Sequence, residues 1–114
     1  MNRTILPTTS TKNVVANGAA LLDETHPDWW RTLDLDRLNM SNTRDCVLGQ
    51  TLGQLDEPIE ESESLYDEFI YGNDIFDFDY GFNSTPWSLG SPYISYQELR
   101  MEWTRVVLER RAAA

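Results

Sequence analysis

The sequence predicts a mainly α-helical protein, a small single-domain bundle of four or five helices with one extended acidic–aromatic segment. The length of 114 residues suits one domain. Hydrophobic residues make up 40% of the chain, and most of them recur at helical spacings. Alternation with a period of two occurs convincingly in one segment only, and a single strand has no partner with which to form a sheet.

A first helix is predicted after a polar arm at residues 1–10. Ser10 or Thr11 is a suitable N-cap, and the helix should run to about Glu24. Gly18 weakens this helix, because glycine is less favourable than alanine in a helix interior by up to ~1 kcal/mol. Its apolar face comprises Val14, Val15, Ala19, Leu21 and Leu22.

A second helix is predicted to begin at Pro27. A residue that precedes proline avoids the α region, so the chain should break at His26. Proline suits the first turn of a helix, and Asp28 in that turn favours the positive end of the helix dipole. The apolar residues expected to follow on this helix are Trp29, Trp30, Leu33, Leu35 and Leu38.

Another helix should be capped by Ser41 or Asn42 and should stop near Gly53. Gly49 lies in its interior, where glycine is unfavourable. Close approach of another element would compensate, and a tryptophan is the neighbour we expect there.

The segment from residue 56 to residue 82 combines acidic and aromatic side chains. Its apolar spacing predicts an amphipathic helix from Pro58 to Tyr71 with an acidic outer surface. Gly72-Asn73 should end that helix. Aromatic residues and aspartates then alternate up to Phe82, which is typical of extended backbone. We expect this extended part to dock on helices.

The last helix has the clearest start signal. Ser95 and Glu98 form a capping box, and Ile94 can pack onto Leu99. Arg110-Arg111 in the last turn favours the negative end of the helix dipole. The predicted core comprises Trp103, Leu99, Val106, Leu48, Leu52, Leu22 and Trp29 or Trp30.

The charge of the chain is concentrated in one place. The sequence has 19 acidic and 9 basic residues, a net charge of −10. Ten of the acidic residues lie in residues 56–79, which contain no Lys or Arg, so the remainder is balanced at nine of each sign. This distribution disfavours direct binding to nucleic acid or to an anionic membrane surface, since both need clustered basic residues.

We expect residues 11–111 to form one domain, with 1–10 a flexible arm and 112–114 a tail.

Few residues suggest chemistry. His26 and Cys46 are the obvious catalytic candidates, as a thiol–imidazole pair, but each has a structural explanation at its position. Asp74, Asp77 and Asp79 offer oxygen ligands, yet their spacing lacks the third acid and the closing Glu of a calcium loop. We therefore expect no enzyme activity, no metal and no cofactor. The single Cys and the N-terminus without an apolar segment lead us to expect a reducing, cytoplasmic setting.

One further set of residues forms a recognisable pattern along the chain. It comprises Leu22-Asp23, Pro27, Trp29-Trp30, Asp34-Leu35, Leu38, Ser41, Cys46-Val47-Leu48-Gly49-Gln50, Gly81-Phe82 and Trp103. This pattern resembles that of a family of short proteins found in actinobacteriophages and their hosts. The resemblance spans roughly residues 20 to 110, and it implies a phage-type protein in the cytoplasm of an infected bacterium. It brings no catalytic residue with it, and the acidity of residues 56–79 departs from it.

The function these features favour is that of a small accessory protein that binds a host or phage protein through an acidic–aromatic face. A basic partner, such as a nucleic-acid enzyme, would complement that face. Alternatives are a DNA mimic that inhibits a nucleic-acid enzyme, and a structural or virion accessory role. Trp87, in a loop rich in Pro, Gly and Ser, is a candidate anchor. The predicted binding residues are Glu60, Glu61, Glu63, Asp67, Glu68, Asp77, Asp79 and Trp87.

Overall fold

The computed structural model describes residues 5–53, 59–84 and 93–114, with the side chains of residues 59 and 60 excepted. These residues form four α-helices and no strand, so the predicted mainly α-helical class is confirmed. The elements are α1 (Thr11–Thr25), α2 (Val47–Leu52), α3 (Ile59–Gly72), a 3₁₀ helix (Asp77–Tyr80) and α4 (Tyr96–Ala113). No helix among them is both long enough and apolar enough to cross a membrane.

Helix α1 begins as predicted, with Ser10 as its N-cap. The Ser10 side chain accepts a hydrogen bond from the Asn13 amide at 3.1 Å. Asn17 is a buried polar residue that joins three segments. Its Nδ2 donates to the Leu6 and Asp79 carbonyls, and its Oδ1 accepts from the Leu6 amide. The described part of the N-terminal arm is therefore hydrogen-bonded to α1.

The predicted helix from Pro27 is wrong. Residues 27 to 31 form turns, in which the Trp29 amide donates to the His26 carbonyl and the Arg31 amide to the Asp28 carbonyl. Asp28 has a φ of +70°, in the left-handed region. A right-handed helix cannot continue through such a residue, so the chain turns here and buries Trp29 instead.

Helix α2 starts later than predicted. Asn42 does act as a cap, since its Oδ1 accepts from the Arg44 and Asp45 amides, but it closes only a single turn. Cys46 is the N-cap of the helix itself, and Gly53 is its C-cap as expected. The neighbour predicted for Gly49 is also wrong. A β-carbon there would meet the backbone of Thr43 at 1.9 Å rather than a tryptophan.

The acidic–aromatic segment follows the prediction in α3 and departs from it afterwards. Phe76 is extended, but Asp77–Tyr80 coils into the 3₁₀ helix, so the predicted extended run is interrupted. Gly81, with a φ of +70°, closes this turn, and the amides of Gly81 and Phe82 both donate to the Asp77 carbonyl. The local turn satisfies backbone groups that a lone strand would leave unpaired.

Helix α4 starts at the predicted cap, where Ser95 Oγ accepts from the Glu98 amide at 3.1 Å. Trp103 is fully buried at the centre of the core. Its ring stacks on Phe82 and meets Trp29 edge-on, and its Nε1 donates to the Gly81 carbonyl at 2.7 Å. The buried predicted core residues are Trp103, Leu99, Leu48, Leu22 and Trp29; those only partly buried are Val106, Leu52 and Trp30.

Candidate functional site

A groove of about 400 Å³ lies where α3 ends and the chain turns toward the 3₁₀ helix. Its volume is within the ~300–1,000 Å³ usual for small-molecule pockets. Apolar, aromatic and acidic side chains all contribute to its wall. The lining residues are Tyr66, Asp67, Ile70, Tyr71, Asp74, Ile75, Phe76 and Asp77.

The end of α3 sets the shape of this groove through a Schellman motif. The Ile75 amide donates to the Ile70 carbonyl, and the Asp74 amide donates to the Tyr71 carbonyl. This pattern joins Ile75 to Ile70 through their backbones, and both isoleucines line the groove. It also places Asp74 at the position that must adopt the left-handed conformation, with a φ of +55°.

Asp74 occupies a position where glycine is the usual residue, because glycine has no β-carbon to clash there. The same chain uses Gly81 at the equivalent closing position of the 3₁₀ helix. Aspartate tolerates the left-handed region better than most residues, but less well than glycine. The carboxylate of Asp74 is thus present at the groove although its backbone conformation would favour glycine.

Asp77 is held in place by a polar network beneath the groove. Its Oδ2 accepts from the Tyr66 hydroxyl at 2.9 Å and from Asn83 Nδ2 at 3.0 Å. The Tyr66 hydroxyl also lies 3.1 Å from the Phe82 carbonyl, and the Tyr96 hydroxyl donates to Asn83 Oδ1. Burial and the neighbouring Asp77 carboxylate raise the pKa of Tyr66 far above its usual value. The phenol therefore stays protonated and remains a donor.

Two aromatic side chains of the groove are unusually exposed. Tyr71 is 81% exposed and Phe76 is 66% exposed. The Phe76 ring stacks on Phe78, with ring centroids 5.5 Å apart and planes 20° apart. One face of Phe76 is thereby supported while much of the ring stays open to solvent. Exposed aromatic rings next to one another mark interaction surfaces more often than isolated surface residues do.

The acidic groups around the groove have no cationic partner among the described residues. The ion pairs among the described residues join arginines to acids outside α3 and the groove. Examples are the pair of Arg37 with Asp45 and the pairs of Arg105 with Glu102 and Glu109. The sequence between Arg44 and Arg100 contains no Lys or Arg. The negative charge of this face is therefore not neutralised from within the described structure.

The predicted binding residues divide into four groups. Asp67 and Asp77 line the groove. Glu61, Glu63 and Glu68 are exposed on α3. Asp79 does not line the groove; burial and the nearby Asp77 raise its pKa, although a hydrogen bond with Thr8 opposes this. Trp87 and the side chain of Glu60 lie outside the described residues.

Sequence reasoning missed Tyr71, Asp74 and Phe76 as binding candidates. The sequence pattern places Tyr71 at the end of a helix and Phe76 in the alternating segment that follows, and neither position by itself indicates a binding surface. A signal was present for Asp74, because Asn and Asp directly after a helix-ending glycine are residues that tolerate left-handed backbone. The three residues converge only because that turn folds the chain back on α3.

Cys46 has a structural role as the N-cap of α2. It is buried, and its Sγ accepts from the Gly49 amide at 3.2 Å as the cap of α2. Burial raises the pKa of the Cys46 thiol to about 11, so the thiol is protonated at neutral pH, in its weakly nucleophilic form. His26 Nδ1 lies 2.9 Å from Thr25 Oγ1, and its ring is tilted against Phe69.

Within residues 5–53, 59–84 and 93–114, no group of three or more His, Cys, Asp or Glu side chains is arranged to hold a metal ion.

Comparisons with protein-family models, with curated proteins and with solved structures give no match to this chain. The function of the groove is therefore inferred from its own chemistry.

Proposed function

We propose that this protein is a small accessory protein that acts by binding a basic-surfaced protein through the acidic–aromatic face of α3 and the adjoining groove. The observation that carries the proposal is the groove itself. Exposed Tyr71 and Phe76 stand beside Asp67, Asp74 and Asp77, with no cation from the described residues to neutralise these acids. Aromatic residues supply contact area, and a charged rim steers a partner of opposite sign.

The exposed aromatic rings favour a protein-binding surface over the mimicry of DNA. A DNA mimic needs carboxylates repeated along a surface like the phosphates of a duplex, which carries one charge per ≈ 1.7 Å of its axis. Large exposed rings between carboxylates interrupt such an array and add apolar area that a phosphate backbone lacks. Tyr71 and Phe76 instead provide exposed aromatic area of the kind that is enriched at protein interfaces.

The setting we propose is the cytoplasm of an infected bacterial host. This part rests on the resemblance to short actinobacteriophage proteins alone. A basic nucleic-acid-binding protein of the phage or the host is the kind of partner that such a setting offers. The proposal includes neither direct contact with nucleic acid nor attachment to a membrane.

The test is recovery of the partner by tagged protein, with two charge-matched variants. In the first, Glu61 and Glu63 become Gln, Asp67 becomes Asn and Glu68 becomes Gln. All four side chains are exposed on α3, so the fold should be unchanged or slightly more stable once like-charge repulsion is reduced. We expect this variant to lose the partner.

The second variant serves as the control, because it removes the same charge from other surfaces. Asp28, Asp34 and Asp36 become Asn and Glu109 becomes Gln, and these four side chains are also exposed. It should recover the partner as the wild type does. Recovery by the wild type should fall with added salt, since exposed charges are screened over ~8–10 Å near physiological ionic strength. Equal loss in both variants, or recovery independent of salt, would reject the proposal.

A further inference from the structure

We propose that the groove receives the side chain of one arginine of the protein partner. This inference rests on the proposed function and adds the residue type that the groove selects. The long stem of arginine is aliphatic, and its guanidinium is flat and always charged. The groove offers a matching surface for each part.

The apolar wall suits the stem. Ile70 and Ile75 line the groove, and the Schellman motif at the end of α3 joins their backbones by a hydrogen bond. The exposed rings of Tyr71 and Phe76 suit the plane of the guanidinium, which stacks on aromatic faces. Phe76 is already supported on one face by Phe78, so its ring does not have to be ordered on binding.

The carboxylates suit the five N–H groups of arginine. Both hydrogen bonds that the Asp77 carboxylate accepts from described residues end on Oδ2, so Oδ1 has no donor among them and can accept from the partner. Asp74 is exposed at the groove, and no described cation pairs with it or with Asp67. Carboxylates placed around a planar group favour forked hydrogen bonds.

Arginine fits this combination better than lysine does. The lysine ammonium is a compact and strongly hydrated point charge, so it gains less from a flat ring and loses more water on entry. An acidic surface without exposed rings would attract both residues about equally. Discrimination between them is therefore the property that separates this groove from a merely acidic face.

The experiment is a titration of the ¹⁵N-labelled full chain with blocked hexa-arginine and hexa-lysine peptides, followed by amide chemical shifts. We expect hexa-arginine to shift the amides of residues 71–77 most, and to bind at least about threefold more tightly than hexa-lysine. This first measurement uses the intact wild-type protein and does not depend on any variant.

A charge-neutral variant provides the second measurement. Tyr71→Ala combined with Phe76→Ala leaves the net charge at −10, so attraction of a polycation by the overall field is unchanged. The loss of stacking should weaken hexa-arginine binding roughly two- to thirtyfold for each ring that contacts the guanidinium. Both side chains are largely exposed, and the amide spectrum of the variant reports whether its fold is retained.

The matched control removes charge but keeps the groove. Asp34→Asn with Asp36→Asn lowers the net negative charge by two on another surface, and it should change the affinity less than twofold. Asp74→Asn keeps a residue that tolerates the left-handed backbone and removes one groove carboxylate, so it should weaken hexa-arginine binding more than this control does.

Three results would overturn the arginine site: shifts spread over the whole acidic surface, equal affinity for the two peptides, or wild-type affinity in the Tyr71/Phe76 variant. None of them would alter the result of the partner-recovery experiment, in which the α3 variant should lose the partner and the control variant should keep it. Failure of the arginine site and failure of the proposed function are therefore separate outcomes.

Discussion

Replacement of Gly18 by alanine tests how α1 packs against the 3₁₀ helix and α4. A β-carbon at Gly18 would lie 2.0 Å from the Tyr80 carbonyl oxygen and 2.9 Å from two ring atoms of Trp103. Both neighbours are fixed, one because it is backbone and the other because the tryptophan is fully buried. The helices must separate to admit the methyl group, which also strains the hydrogen bond from Asn17 to the Asp79 carbonyl.

Two opposing effects set the magnitude. Alanine favours a helix interior over glycine by ~1 kcal/mol. Overpacking a fixed core costs about 1–3 kcal/mol and occasionally more, and a 2.0 Å contact with backbone falls at the upper end. We expect a net loss of about 2 kcal/mol in the free energy of unfolding, and a fall in Tm of about 8 °C for a chain of this size.

Urea denaturation, followed by tryptophan fluorescence and by circular dichroism, measures this loss. Ala20→Gly is the control, because Ala20 is exposed on the same helix and reports helix propensity alone; it should cost ~1 kcal/mol. If Gly18→Ala is as stable as the wild type or more stable, α1 does not pack against Tyr80 and Trp103 as described here.

Three further predictions concern the core, a loop carboxylate and the two candidate catalytic residues. Trp103→Ala should lower the free energy of unfolding by about 3–5 kcal/mol, as truncation of a buried aromatic does, and a loss below about 1 kcal/mol in urea denaturation would contradict the central place of α4 in the core. Burial of Asp45 raises its pKa, but hydrogen bonds from Asn42 and Arg37 and the charge of Arg37 outweigh this, so its pKa lies below the usual value. The Asp45 carboxylate therefore stabilises the fold above its unfolded pKa, near 4, and this contribution is lost as the pH falls through the lower folded pKa. Asp45→Asn should lower Tm at pH 7, this difference should shrink as the pH falls below about 4, and a Tm difference that does not change with pH would reject this role. Cys46→Ser and His26→Ala should each retain partner recovery when the circular dichroism spectrum shows a folded protein; loss of recovery in either folded variant would return these residues to consideration as a functional pair.

The helix starts that were predicted correctly depend on local signals. Ser10 and Ser95 cap their helices through bonds to amides three residues along the chain, which a sequence pattern can reveal. The middle of the chain shows why the same signals fail elsewhere. Asn42 has a side chain suited to cap a helix, but it closes a single turn. The N-cap of α2 is Cys46, four residues later.

The contacts made at glycine positions are a second feature that could not be predicted from the sequence. The sequence shows that Gly18 and Gly49 are unfavourable in helices, but not what approaches them. The tryptophan expected beside Gly49 is instead beside Gly18, and Gly49 meets the backbone of Thr43. Tyr80 and Trp103 are remote from Gly18 in sequence, and Thr43 reaches Gly49 through a local turn, so only the packed structure identifies these contacts.

The candidate site was predicted in part. The concentration of acidic residues could be read directly from the sequence, and it led to Asp67 and Asp77. The groove itself could not be predicted, because it depends on the left-handed turn at Asp74 that folds Ile75 back on Ile70. Helical and strand periodicities describe regular segments, whereas this site is formed where the regular segments end.

Hydrogen–deuterium exchange of the full chain, with and without the partner that it recovers, tests the central claim most directly. If the acidic–aromatic face is the binding surface, amides from Tyr66 to Asp77 should exchange more slowly in the complex, and this protection should disappear in the variant neutralised at Glu61, Glu63, Asp67 and Glu68. Protection confined to α1 or α4, with residues 66–77 exchanging as in the free protein, would contradict the claim.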